Sequence, residues 1–301
     1  MKFAAFSLRQ GSPEEIQRVR VGLVSTEQGK IAEYGVSSDL TEAGVLTLLN
    51  LQLNKQALPA IIAIHDLSAI QLLAPIPRPR RNIFCVGKNY FDHAKEFGTS
   101  GFDSSTSKPG DEIPKDPIIF TKPPESVIGP GANIVIPQQV SNAVDYEVEL
   151  TVIIGKGGKG ITQANAMQHV WAYTAINDVT ARDWQLRHKQ WFLGKSFDTF
   201  CPMGPWVVTA DELDVNDITV KCWVNQELRQ SSNSKDLIFN IPKLIETISA
   251  GITLYPGDII ATGTPAGVGL GFKPPKYLAP GDIVKLEIGG VGVLENPLVM
   301  G

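Results

Sequence analysis

The stretch Val144-Asp145-Tyr146-Glu147-Val148-Glu149-Leu150-Thr151-Val152-Ile153-Ile154-Gly155 decides how the rest of the chain is read. Side chains alternate across a β-strand with a period of two. An extended run therefore places Asp145, Glu147 and Glu149 on one face and Tyr146, Val148 and Leu150 on the other. Three carboxylates in a row repel one another, and the run continues into Val152-Ile153-Ile154, a core-like segment in which an unpaired carboxylate is costly. Two explanations fit. One is an edge strand with a solvated acidic face; the other is a set of oxygen ligands for a hard divalent cation, Mg²⁺, Mn²⁺ or Ca²⁺. The second requires a further ligand and a reactive partner elsewhere in the chain.

Downstream, Val170-Trp171-Ala172-Tyr173-Thr174-Ala175-Ile176-Asn177-Asp178 reads as a strand ending in a carboxylate, which makes Asp178 the natural further ligand. Lys195 follows among Trp191, Phe192, Leu193 and Phe197. It reads either as a surface lysine or as a cation that neutralises a developing anion. Upstream, Ile83 to Gly87 reads as a buried strand, followed by Lys88-Asn89-Tyr90-Phe91-Asp92-His93-Ala94-Lys95-Glu96-Phe97-Gly98. The three-residue spacing puts His93 and Glu96 on one helical face, with Gly98 as a stop. A carboxylate beside an imidazole raises its basicity and fixes its tautomer, as in a general base that activates water, although such pairs are also common on solvated helices. Near the C-terminal end, Gly263-Thr264-Pro265-Ala266-Gly267-Val268-Gly269 forms a glycine-rich loop whose N–H groups and Thr264 hydroxyl can hold a carboxylate. Another glycine-rich segment, Gly155 to Gly160, matches neither dinucleotide nor P-loop spacing and reads as a turn.

The bulk properties narrow the class. A chain of 301 residues, 43% hydrophobic and 19% charged, suits a globular protein with one large core or two unequal domains. The net charge of −4 gives no electrostatic case for nucleic acid or an anionic membrane, so a small molecule is the expected partner. Cys85, Cys201 and Cys222 are odd in number and lack Cys-x-x-Cys spacing, which argues against a disulfide framework or a zinc site. With no signal-peptide core and no apolar run of membrane length, a cytoplasmic location is expected.

Residues 1–77 read as a small N-terminal unit with strands at Arg20 to Ser25 and Lys30 to Tyr34 and a helix from Leu40 to Leu51, capped by Ser38 or Asp39. His65, beside the apolar run Ile61 to Ile64, reads as a packed structural histidine, as does His169. The proline-rich segment Ala74 to Arg81 marks a boundary, so the second unit spans 78–301. Thr99 to Lys115 reads as a long loop near the candidate catalytic residues, consistent with a lid or with disorder. Ile241 to Ser249 reads as a helix with Pro242 near its start and Gly251 past its end.

Taken in order, five motifs resemble those of the fumarylacetoacetate hydrolase family. They are Val86-Gly87-Lys88-Asn89-Tyr90 with His93 and Glu96, Asp145 to Leu150, Asn177 to Asp183, Gly194 to Asp198 and Gly263 to Gly269. The resemblance covers about Arg80 to Gly301. It implies a mixed α/β, strand-rich protein: a C-terminal catalytic domain rolled as a mixed β-sandwich, a small N-terminal α+β domain, and a homodimer. It further implies Glu147, Glu149 and Asp178 as ligands of Mg²⁺ or Mn²⁺, with Ca²⁺ as a substitute, and excludes Asp145 from the ligand set. His93 and Glu96 become a water-activating dyad on a lid helix and Lys195 the stabiliser of an enolate. Tyr90, Arg182, Gln185 and Thr264 become substrate contacts. The expected activity is metal-dependent hydrolysis of a carbon–carbon bond in an acylpyruvate-like keto acid. Oxaloacetate decarboxylation and hydroxydienedioate isomerisation are alternatives on the same site, and a non-catalytic binding module is the alternative from another class.

Overall fold

The computed structural model describes residues 1–37, 43–98, 101 and 112–301. Val148–Ile154 is an inner strand, hydrogen-bonded antiparallel to Val170–Asn177 on one side and to Ile259–Ala261 on the other. The sheet then continues through Ile83–Gly87 to Ile118–Lys122 in one direction. In the other it passes through Cys201–Thr209, Lys2–Leu8, Arg20–Ser25 and Lys30–Tyr34 to Ile61–Asp66.

The period-two expectation holds from Val148 onward. Val148, Leu150, Val152 and Ile154 face a core shared with a second sheet that contains Thr219–Val224, Ile283–Ile288 and Gly292–Met300. Each of these buried side chains contributes about 1.5–3 kcal/mol relative to exposure. Ile153 faces the opposite side and packs with Cys85, Cys201, Met203, Ile259 and Phe3. The result is the expected mixed α/β, strand-rich architecture with two sheets packed face to face.

Two local expectations are corrected. The acidic stretch is not one continuous strand, because Val144–Asp145 pairs with Thr180–Ala181 whereas Val148–Ile154 pairs with Val170–Asn177. The change of partner makes a corner at Tyr146 and Glu147, where Asn177 Oδ1 accepts from Glu147 N at 3.0 Å and Asp178 N donates to Glu147 O at 2.9 Å. Nor is the acidic face solvated: Asp145, Glu147 and Glu149 are all buried.

The first 77 residues share the large sheet and its second core with the remainder. Phe3 pairs with Val207, and Phe3, Val21, Ala74 and Ile76 lie in the same cluster as Cys201 and Ile259. The helix read at Leu40 to Leu51 spans Leu46–Leu53, after a turn in which Gly44 takes φ 60° and Val45 N donates to Pro75 O at 2.9 Å. Ser38, Asp39 and most of Thr99 to Lys115 lie outside the described residues. The Ile61 to Ile64 run forms an edge strand with Ile61, Ile62 and Ile64 exposed, rather than a core segment, and His65 Nε2 pairs with Glu33 Oε2 at 2.7 Å.

Candidate active site

The site lies where strand ends converge. Lys88 takes φ 55°, the left-handed turn that redirects the chain from strand Ile83–Gly87 toward helix Phe91–Gly98. Asn89 fixes that turn: its Nδ2 donates to Thr262 O at 2.7 Å, and its Oδ1 accepts from Phe239 N at 2.7 Å. The helix buries His93, Ala94 and Phe97. Phe97 packs edge-on against Trp191 at 5.9 Å and joins Val268 and Leu270 in a small apolar cluster separate from the main cores. This cluster docks the helix over a narrow cavity lined by His93, Glu147, Glu149, Arg182, Gln185 and Lys195, among others.

Glu147 and Glu149 line the cavity and Asp178 is buried beside them, each offering an oxygen within 4.8 Å of the others. Lys195 Nζ lies 2.7 Å from both Glu147 Oε2 and Asp178 Oδ2, and 5.0 Å from the Phe120 ring centroid. Lys122, fully buried, donates to Asp178 Oδ1 at 2.7 Å, to Val179 O at 3.0 Å and to the Lys195 carbonyl. Arg182 Nε donates to Asp145 Oδ2 at 2.9 Å, and its Nη2 lies 2.7 Å from Glu147 Oε1. The excluded Asp145 thus faces Arg182 and two loop amides, Gly269 N at 2.7 Å and Leu270 N at 3.0 Å.

Electrostatics distinguish the three clustered acids. Burial alone would raise Glu147, but Lys195 and Arg182 outweigh it and hold its carboxyl below the usual range. Burial together with the charges of Asp178 and Glu147 pushes Glu149 well above its usual value. Burial would lower Lys195, yet Asp178 and Glu147 overcome this and keep its ammonium charged. Glu149 has no ion pair among the described residues, and its Oε2 accepts only from Gly263 N at 2.8 Å. A buried carboxylate aimed at two others, without a cation of its own, is the environment an all-oxygen divalent cation site presents. The three residues fit Mg²⁺ or Mn²⁺ on that ground. With all four carboxylates ionised, these acids and the three cations would sum to −1, which a divalent ion would turn to +1, suiting an anionic ligand.

Most of the residues named from sequence meet here. His93 Nδ1 lies 3.3 Å from Glu96 Oε2, and Gln185 Oε1 accepts from Arg182 Nη1 at 3.2 Å. Thr264 Oγ1 accepts from Gln230 Nε2 at 2.8 Å, leaving its own hydrogen for the cavity. Tyr90 does not line this cavity. It borders an adjacent surface pocket with Phe91, Asp92 and Lys235, and its buried hydroxyl has no hydrogen-bond partner among the described residues. The amides of the glycine-rich loop do hold carboxylates, and these are the protein's own: Gly263 N serves Glu149, Gly267 N serves Glu96, and Gly269 N, with Leu270 N just beyond the loop, serves Asp145. Sequence reading missed Lys88, Phe120 and Lys122. The available signal for Lys122 was a lysine ending the apolar run Ile118-Ile119-Phe120-Thr121.

A strand-rich sandwich with three buried, converging carboxylates beneath a His–Glu helix is an arrangement that could hold a divalent cation, and comparison with known proteins supplies the family. Residues 82–299 match the fumarylacetoacetate (FAA) hydrolase C-terminal family, and the chain belongs to the fumarylacetoacetate hydrolase family. It is 49% identical over 235 residues to oxaloacetate tautomerase YisK of Bacillus subtilis, covering 78% of this chain and 75% of that one. To the mitochondrial oxaloacetate tautomerase Fahd2a of Rattus norvegicus it is 44% identical, covering 97% and 91%. Among solved structures, fumarylacetoacetate hydrolase from Exiguobacterium antarcticum superposes with a TM-score of 0.78 at 38% identity, covering 100% of both chains. Maleylpyruvate hydrolase from Sphingobium sp. SYK-6, in complex with manganese(II) and pyruvate, gives 0.75 at 29% identity, again covering 100% of both.

Proposed function

We propose that this enzyme acts on oxaloacetate, converting its enol form to the keto form. The similarity to oxaloacetate tautomerases, extending over 97% of the chain in one case, favours the oxaloacetate alternative over carbon–carbon hydrolysis. The observation that carries the chemistry is Lys195, a buried ammonium fixed between Glu147 and Asp178 and facing the same cavity as His93.

Bound Mg²⁺ or Mn²⁺, held by Glu147, Glu149 and Asp178, supplies Lewis-acid stabilisation of negative charge on the keto acid. Arg182, Gln185 and Thr264 orient the substrate carboxylates. Lys195 remains protonated and stabilises the oxygen anion by charge rather than by taking a proton. His93, oriented by Glu96 at Nδ1, exchanges a proton at Nε2 with the substrate. The enol O–H proton leaves and one proton is added at C3, so the conversion consumes no water and breaks no carbon–carbon bond. Phe97, Trp191 and Phe120 keep the cavity apolar above these charges, which strengthens each interaction.

The test follows loss of enol absorbance in freshly dissolved oxaloacetate, with pyruvate measured in parallel. Enol loss faster than the uncatalysed rate without pyruvate supports the tautomerase reading. Stoichiometric pyruvate would make the enzyme a decarboxylase, and turnover of acylpyruvates alone would return it to hydrolysis. The proposal extends to a homodimer, which sedimentation equilibrium tests.

A further inference from the structure

Glu96 is seated by the backbone of a loop far away in sequence. Gly267 N donates to Glu96 Oε1 at 3.0 Å and also lies 3.3 Å from Oε2, while Oε2 lies 3.3 Å from His93 Nδ1. The short 3-10 turn Gly269–Gly271 packs against helix Phe91–Gly98. A Cβ built on Gly271 would lie 2.7 Å from Glu96 Cγ and closer still to its carboxyl group. Gly271 does not adopt a positive φ, so its backbone suits any residue. Gly267 differs: its φ is 100°, and a Cβ there would overlap the Arg229 carbonyl. The space at Gly271 is therefore used by the Glu96 side chain and is not demanded by the backbone.

We propose that Gly271 is a positioning residue: the missing side chain creates the recess that seats the Glu96 carboxylate on the Gly267 amide, and through Glu96 it sets His93. The far end of the same turn is anchored independently. Asp145 accepts from Gly269 N and Leu270 N and is itself held by Arg182, so the recess is built on a buried ion pair. The turn thereby ties the substrate-facing arginine to the carboxylate that orients His93. This inference rests on the proposed role of the His93–Glu96 pair.

The test compares wild type, Gly271→Ala, Glu96→Ala and the double variant, reading kcat, KM and Tm in the oxaloacetate enol assay, with a crystal structure of Gly271→Ala. A methyl group at residue 271 is expected to displace the flexible Glu96 side chain and leave the backbone in place. Gly271→Ala should lose about tenfold or more in kcat through misplacement of a proton-transferring group, with KM and Tm near wild type. Adding it to Glu96→Ala should cost nothing further. Wild-type kcat in Gly271→Ala, or an equal loss on the Glu96→Ala background, would overturn the inference and leave the proposed function standing. A Glu96→Ala enzyme with full activity would instead remove the dyad from the mechanism. The crystal structure then decides the seating on its own: Glu96 displaced from Gly267 N upholds the recess, and Glu96 in place overturns it.

Discussion

Lys195 Nζ sits 2.7 Å from Glu147 Oε2 and 2.7 Å from Asp178 Oδ2, so one ammonium is shared by two of the three carboxylates that converge within reach of one another. The lysine offsets their repulsion in the metal-free protein and, under the proposed function, remains at hand for charge on a bound keto acid. Lys195→Met removes one partner of a buried ion pair, which costs about 3–5 kcal/mol. Its Tm should fall sharply in EDTA and recover with Mg²⁺ by more than the wild-type shift. Equal Tm values for variant and wild type in EDTA would show that the ammonium does not balance these acids.

Glu149 presents the opposite case. Burial and two neighbouring acids oppose its charge, and no lysine or arginine pairs with it among the described residues. Glu149→Gln should leave the metal-free protein as stable as wild type, or stabilise it by on the order of 1 kcal/mol, because like-charge repulsion is relieved. The same variant should lose the stabilisation that Mg²⁺ gives wild type, expected to reach about 2.7 kcal/mol at a hundredfold excess over Kd. Thermal melts with and without Mg²⁺ check both halves.

Lys122 holds Asp178 from the side away from Lys195, and none of its surface reaches solvent. Lys122→Met should destabilise by about 3–5 kcal/mol through the unpaired Asp178 oxygen. Denaturant unfolding gives the stability. The companion assay should show kcat falling while KM changes less, since Lys122 lines no part of the cavity.

The thiols offer a test of burial that does not depend on turnover. Burial pushes Cys201 up to about 12, and Cys85 and Cys222 are also raised by burial, so the reactive thiolate is scarce at neutral pH in the folded protein. Disulfide-exchange reagents at pH 8 should label native protein slowly and release three equivalents on unfolding. Rapid native labelling of one equivalent would place a cysteine at an accessible surface.

Local pattern carried much of this architecture. Strands Arg20–Ser25 and Lys30–Tyr34 occur where read, and helix Ile241–Gly251 begins with Pro242 in its first turn behind an Asn240 cap. Period-two alternation could not reveal the corner at Tyr146 and Glu147, because a change of strand partner produces it, from Thr180, 35 positions from Asp145, to Asn177, 29 positions from Val148. Lys122 was hidden for the same reason: its partner Asp178 is 56 positions distant, and a lysine at a strand end ordinarily points to solvent. The apolar run at Ile61 to Ile64 misled in the other direction, since hydrophobicity alone does not distinguish an inner strand from an exposed edge. The loop amides at Gly263, Gly267 and Gly269 could be read as carboxylate holders, but not which carboxylates they hold, because the three acceptors lie more than 100 residues away.

The convergence of Glu147, Glu149 and Asp178 on one cation is tested most directly by an anomalous difference map from crystals of the protein grown with Mn²⁺. A single strong peak within coordination distance of all three carboxylates, beside Lys195, is the expected result. A map with no peak there, or with manganese bound only at other surfaces, would contradict the account.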